Sequence, residues 1–197
     1  RESRPETRLH RKISEFFPGR LLPARPVMKH LLTALLLLTS VVSAATPEDF
    51  TVRAAAGKGS FTLKEARGKF VAIHFLLKTE CPLCLKHTRD YFAKSATLPN
   101  VTQVFLKPDS DHEIEAWASK LPAEELAKNP IYRDPYAKLA KAFDIPDGYK
   151  FHGQVVHYPA TVLIGPDGKE VFRYVGKSNA DRLSFESLAA KVTELSK

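Results

Sequence analysis

Cysteine is scarce in this chain: Cys81 and Cys84 are the only two among 197 residues. A zinc site wants four ligands, and two cysteines with nearby His87 leave it short. Long apolar runs are also missing. The stretch from Leu31 to Val42 is 12 residues long, well below the roughly 20 that a membrane-spanning helix needs. No cysteine lies near residues 42–46, which excludes lipid attachment to a cysteine there. Nor is there an internal repeat, a low-complexity segment or a basic stripe that would track a nucleic-acid backbone, so nucleic acid is not an expected partner.

Methionine occurs once, at Met28, and Lys29, His30 and the apolar stretch follow it directly. Small residues come next: Val42 and Ala44 frame one cleavage before Ala45, and Ser43 and Ala45 frame another before Thr46. Residues 28–44 are therefore expected to be a cleaved signal peptide, and the mature chain to be periplasmic or secreted. Residues 1–27 carry seven Arg and Lys against three Glu, with no periodic core pattern. They are expected to be a disordered, over-extended or non-native start. A long basic n-region and an organellar transit peptide are the alternatives. Removing the +4 of residues 1–27 and the charge of Lys29 from the overall +8 leaves +3, so the basic balance belongs mostly to the leader. With 44% apolar residues, residues 45–197 have the material for one core and one domain. Composition leaves the oligomeric state open.

Along that domain, Phe50–Val52 and Phe61–Leu63 read as short strands, and Phe70–Leu76 as a strand buried on both faces. Leu83–Lys94 reads as a helix stopped at Leu98-Pro99-Asn100, and Val101–Leu106 as the next strand. Asp111 is expected to cap a helix carrying Ile114, Trp117 and Leu121, and a short helix is expected over Tyr136–Phe143. Gly165-Pro166-Asp167-Gly168 joins Thr161–Ile164 to Glu170–Val175 as an antiparallel hairpin, and a last helix is expected over Asp181–Leu195. Alternating strands and helices imply a parallel core sheet.

The two cysteines stand at the end of the buried strand and the start of a helix. There the unpaired N–H groups and the positive end of the helix dipole favour a thiolate on Cys81. Pro82 suits the first helical position, where its missing N–H costs nothing. Cys84, one turn further in, is expected to be the more buried. An inert disulfide and a metal site are the alternatives to redox chemistry. As a staple, a bridge across so short a loop would remove little unfolded-state entropy.

The segment from Pro47 to Phe75, with Asp49-Phe50-Thr51, Phe61-Thr62-Leu63 and Arg67-Gly68-Lys69, resembles the opening of redoxins, the group that holds the peroxiredoxins (AhpC/TSA) and the TlpA-like thioredoxins. Tyr158-Pro159-Ala160-Thr161 through Lys169 resembles the family's segment of cis-proline, strand and hairpin. The resemblance covers nearly all of residues 45–197. It implies a thioredoxin-like α/β fold, a central mixed sheet flanked by helices with an N-terminal strand extension. By that likeness Pro159 packs against the dithiol, Tyr158 presents backbone groups to a bound substrate, and Pro82 borders the same groove. The departures are as informative. A peroxidatic cysteine follows a threonine by three residues and a proline by seven, whereas Cys81 has Lys78 and His74 there and Cys84 has Cys81 and Leu77. No arginine stands just before Thr161. Glu80 replaces the aromatic that precedes a thioredoxin dithiol, and His74 sits near the place of its buried carboxylate.

These readings together imply an exported, TlpA-like thiol–disulfide oxidoreductase with little peroxidase activity. Cys81 is the nucleophile, Cys84 the resolving thiol, Pro159 a groove wall and His74 a candidate proton relay. No cofactor beyond the redox-active Cys81–Cys84 pair is implied. The expected partners are envelope proteins carrying thiols or disulfides and a membrane-bound dithiol donor. Two alternatives are a Sco-like copper chaperone using Cys81, Cys84 and His157, and a peroxiredoxin-like antioxidant. In the first, the cysteine spacing is one residue too short.

Overall fold

A computed structural model describes residues 49–78, 81–151 and 154–197. The expected leader, residues 1–44, and Thr79 and Glu80 lie outside the described residues. Among the described residues, nine strands and five α-helices follow in order: β1 Thr51–Ala56, β2 Ser60–Thr62, β3 Phe70–Phe75, α1 Pro82–Lys94, β4 Val101–Lys107, α2 Asp111–Ala118, α3 Ala123–Lys128, β5 Ile131–Arg133, α4 Lys138–Ala142, β6 Asp147–Phe151, β7 Gln154–His157, β8 Ala160–Ile164, β9 Glu170–Val175 and α5 Phe185–Leu195. Seven strands form one sheet in the order β2-β1-β5-β4-β3-β8-β9. Its centre is parallel, β3 with β4 and β4 with β5, and β8 and β9 join antiparallel on the β3 side. This is the mixed, helix-flanked sheet of a thioredoxin-like α/β fold, with β1 and β2 as the N-terminal extension.

Alternation along β3 decides what reaches the site. Phe70, Ala72 and Leu76 pack into the layer of α1, α2 and α5, whereas Val71, Ile73 and Phe75 pack into the opposite layer with Ala140 and Phe143. His74, two residues from Ala72, therefore faces α1. On β4 the same period puts Gln103, Phe105 and Lys107 on that side. Burying six consecutive β3 residues leaves no solvated face, as expected of a central strand.

The structure corrects several local readings. Ser110, not Asp111, caps α2, in a reciprocal capping box with Glu113 that satisfies two helix-end donors at once. Asp111 is the first helical residue and pairs with Arg53 at 2.5 Å. The helix expected over Tyr136–Phe143 is confined to Lys138–Ala142, because Tyr136 (φ 59°) and Ala137 (φ 53°) take left-handed backbone. The Asp134 carboxylate instead accepts the Leu139 and Ala140 N–H groups at 2.8 and 3.0 Å. The last helix begins at Phe185 under a Ser184 cap, four residues after Asp181. The freed residues 176–184 form a loop that reaches the dithiol. The β6–β7 hairpin, which forms its own two-stranded sheet, was not expected.

Candidate active site

Cys81 is the N-cap of α1 and Pro82 its first residue. The Cys84 N–H donates to Cys81 Sγ at 3.3 Å, so one of the helix's unpaired donors is spent on that sulfur. Cys81 is half-buried and Cys84 fully buried, and both are free thiols. Cys84 Sγ also lies 3.9 Å from the Leu77 carbonyl oxygen. Position on the helix thus makes the two sulfurs chemically unequal. The hydrogen bond from the Cys84 thiol brings the Cys81 pKa down to about 6, against the opposing effect of burial; the Arg182 guanidinium, the Cys84 N–H and Lys107 act in the same direction. Burial, and then the hydrogen bond to Cys81, hold the Cys84 thiol well above the ordinary thiol range, since both favour its neutral form.

Two cations serve this pair. Lys107 is wholly buried; its Nζ donates to the Leu77 carbonyl at 2.5 Å, lies 3.4 Å from Asp109 Oδ2 and sits 4.6 Å above the Trp117 ring. Arg182 comes from the loop before α5, and its Nη2 lies 3.2 Å from Cys81 Sγ and 3.3 Å from Cys84 Sγ. Sequence reading missed this arginine. It is about a hundred residues from the cysteines, and no local pattern marks it.

The loop is fixed at several points. The Asp181 carboxylate accepts the Lys177 N–H at 2.9 Å and the Tyr174 hydroxyl, and Tyr91 on α1 donates its hydroxyl to the Leu183 carbonyl at 3.1 Å. Gly176 donates to the Pro159 carbonyl at 2.8 Å. A Cβ on Gly176 would overlap the Asp181 carbonyl oxygen and fall 3.1 Å from Pro159 Cγ. Gly176→Ala should therefore cost about 1–3 kcal/mol and withdraw Arg182 from the sulfurs. Denaturant melts, with Cys81 alkylation followed across pH, check this. An unchanged midpoint and an unchanged alkylation profile would show that the close approach is not needed.

Pro159 is buried and, with His87, Thr161, Tyr174, Arg182 and Leu183, lines a small pocket beside the dithiol. Pro82 is exposed on the helix start. The Tyr158 N–H donates to the Pro146 carbonyl at 3.1 Å, and its carbonyl accepts His157 Nδ1–H at 2.7 Å. The Tyr158 ring lies on Gly148, where a Cβ would come within 2.8 Å of it.

His74 has both ring nitrogens occupied. Gln103 Oε1 accepts from Nε2–H at 2.8 Å, and Nδ1 lies 3.1 Å from the Thr161 hydroxyl. In the neutral ring that second nitrogen is left to accept the hydroxyl proton. His74 makes no hydrogen bond to either sulfur among the described residues. Burial, partly offset by the bond to Gln103, pushes its pKa down to about 4. That geometry fits a core histidine satisfied by its neighbours rather than a direct relay. His157 is buried against Phe75, with ring centroids 6.3 Å apart, and burial lowers its pKa. Among the described residues no three His, Cys, Asp or Glu side chains are placed to share a metal ion.

A thioredoxin-like sheet carrying a Cys-X-X-Cys pair at a helix N-terminus defines the class of thiol-based redox proteins. The family model for Redoxin matches residues 42–192, and the chain belongs to the redoxin family. Among solved structures, a cysteine-to-serine mutant of PrxQ from Xylella fastidiosa superposes with a TM-score of 0.63 at 16% identity, covering 78% of this chain and 93% of that one. The exposed lipoprotein thioredoxin of Streptococcus pneumoniae gives 0.58 at 18% identity, covering 74% and 98%. MTB dsbF, in mixed oxidized and reduced forms, gives 0.58 at 20% identity, covering 76% and 97%. At these identities the likeness is one of fold, and it spans peroxiredoxins and thioredoxin-like proteins alike. A comparison with curated proteins finds no match.

Proposed function

We propose that this chain is an exported, TlpA-like thiol–disulfide oxidoreductase. The observation that carries the reading is the inequality of the sulfurs: Cys81 half-exposed at the helix cap, Cys84 buried one turn behind it. The Cys81 thiolate attacks one sulfur of a partner disulfide, forming the Cys81–partner bond and releasing the other partner sulfur as thiolate. Cys84, having lost its proton, then attacks Cys81 Sγ; the first partner sulfur leaves and the Cys81–Cys84 disulfide remains. Two electrons have passed to the partner. The steps run backwards when the chain oxidises a dithiol. The dithiol itself is the only redox group required, and Pro159 forms a wall beside it. The leader pattern of residues 28–44 supports work outside the cytoplasm, where disulfides persist. There the substrates are envelope proteins, and a membrane-bound dithiol donor closes the cycle.

The threonine and proline that accompany a peroxidatic cysteine are missing around both sulfurs, which supports exchange over peroxide reduction. The mature chain should therefore catalyse insulin reduction or reshuffling of scrambled disulfides, while consuming hydrogen peroxide with dithiothreitol at a rate far below that of a peroxiredoxin. Peroxide turnover at peroxiredoxin rates with no exchange activity would replace this reading by the antioxidant one.

A further inference from the structure

Every turn of a buried Cys-X-X-Cys pair places a negative charge on its inner sulfur, as attacking thiolate when the disulfide closes or as leaving group when it opens. Cys84 has no exposed surface, and a buried, unpaired thiolate is costly. Arg182 is placed to meet this need. Its Nη2 lies 3.0 Å from the Asn179 carbonyl, 3.3 Å from Cys84 Sγ and 3.2 Å from Cys81 Sγ. That nitrogen carries two hydrogens, so one is directed at the carbonyl and the other is shared between the two sulfurs. No carboxylate pairs with this guanidinium among the described residues. The adjacent Asp181 is occupied by Tyr174 and Lys177, and Arg182 Nε is buried without a partner. Among the described residues, the other charged or titratable groups around the sulfurs have contacts of their own. Lys107 is held by Leu77 and Asp109, His74 by Gln103 and Thr161, and His87 packs at 4.5 Å against the Tyr91 ring.

On the exchange reading above, we propose that Arg182 is a catalytic residue: the counter-ion that holds the negative charge of Cys84, as attacking thiolate when the disulfide closes and its charge leaves on the partner sulfur, and as leaving group when a partner thiolate attacks Cys81 and opens it. An N–H already placed at 3.3 Å from Cys84 Sγ meets that charge without moving, which is the advantage of a preorganised donor. The residue acts on the second step more than the first. In the first, loss of the guanidinium leaves fewer Cys81 thiolates, but each is a stronger nucleophile, and the two effects largely offset.

An uncharged probe, 4,4′-dithiodipyridine, separates the steps. Attack by Cys81 releases one thiopyridone, and resolution by Cys84 releases a second. Stopped-flow absorbance at pH 7 on wild type, Arg182→Gln and Arg182→Lys reads both. Arg182→Gln should slow the second release by about tenfold to a hundredfold, the worth of a hydrogen bond to a charged group, and change the first by only about threefold. Arg182→Lys, which keeps the charge, should recover part of the second rate. A denaturant melt of each variant reports whether it is folded, and Arg182→Lys carries the test if Arg182→Gln is not. An unchanged second release, or equal slowing of both releases without rescue by lysine, overturns the role. A wild type that releases only one equivalent overturns the exchange reading itself, and the role falls with it.

Discussion

Cys84→Ser accumulates covalent adducts with envelope proteins that reductant releases, whereas Cys81→Ser accumulates few and is inactive toward insulin and scrambled disulfides. This follows from geometry. Cys81 is the sulfur a partner can reach, and the hydrogen bond from the Cys84 thiol, then Arg182, the Cys84 N–H and Lys107, keep much of it ionised at neutral pH, with its pKa about 6. Once the mixed disulfide forms, the wild type resolves it quickly because Cys84 is already held beside the reacting sulfur. Such intramolecular placement corresponds to effective concentrations on the order of 10⁵ M or more. Serine at position 84 removes that nucleophile and leaves only external thiols, present at far lower concentration. Acid-trapped samples on non-reducing gels, together with iodoacetamide rates for each thiol across pH, decide the matter. The alkylation midpoint of Cys81 should lie near 6, with Cys84 unreactive through neutral pH. Adducts on Cys81→Ser and not on Cys84→Ser would reverse the roles. None on either, with both thiols unreactive, would leave a redoxin fold with an idle dithiol.

The second large effect concerns acid. His74 is completely buried, and its folded-state pKa is about 4 against an ordinary 6.5. The unfolded chain therefore takes up a proton on this ring between pH 6.5 and 4 that the folded chain refuses. Stability is full above pH 6.5 and falls as the pH drops through that window, by about 3 kcal/mol from this residue. Urea unfolding at intervals from about pH 7.5 to 4 measures the fall, and His74→Gln isolates its source. The variant should be less stable at neutral pH, since the bonds to Gln103 and Thr161 change, but its pH slope in the window should be shallower. Equal slopes would show that His74 is protonated in the folded state or is not the responsible group. His87, whose pKa burial brings down to about 2 with His74 and Arg182 adding to the shift, contributes in the same direction in both proteins, and the part of its shift that comes from His74 is lost with it in the variant.

The local elements were legible because their causes are local. Five apolar residues among the six from Phe70 to Phe75, with His74 the sixth, demand a strand covered on both faces, and they form one. Pro82 stands at the first helical position, and Gly168 takes φ 79° in the hairpin turn. Both are readable one residue at a time, because each is a backbone preference. Where short-range signals competed, the reading slipped. Ser110 with Glu113 outweighs Asp111 as a cap because two donors are satisfied at once. Tyr136 and Ala137 break a helix that composition favours, in left-handed conformations neither residue prefers by itself.

The sequence alone determined the pairing of two cysteines at a strand–helix junction, the redoxin layout around them and the unequal reach of their sulfurs. All three depend on residues a few positions apart. Tertiary structure decided what surrounds those sulfurs. It brings Arg182 from about a hundred residues away, through a loop that closes only because Gly176 lets the Asp181 carbonyl approach. It also places His74 between Gln103 and Thr161 on the two neighbouring strands and occupies the Tyr158 backbone with Pro146 and His157. Such contacts depend on strand register and loop closure, which are set by packing over the whole domain, and no spacing along the chain encodes them.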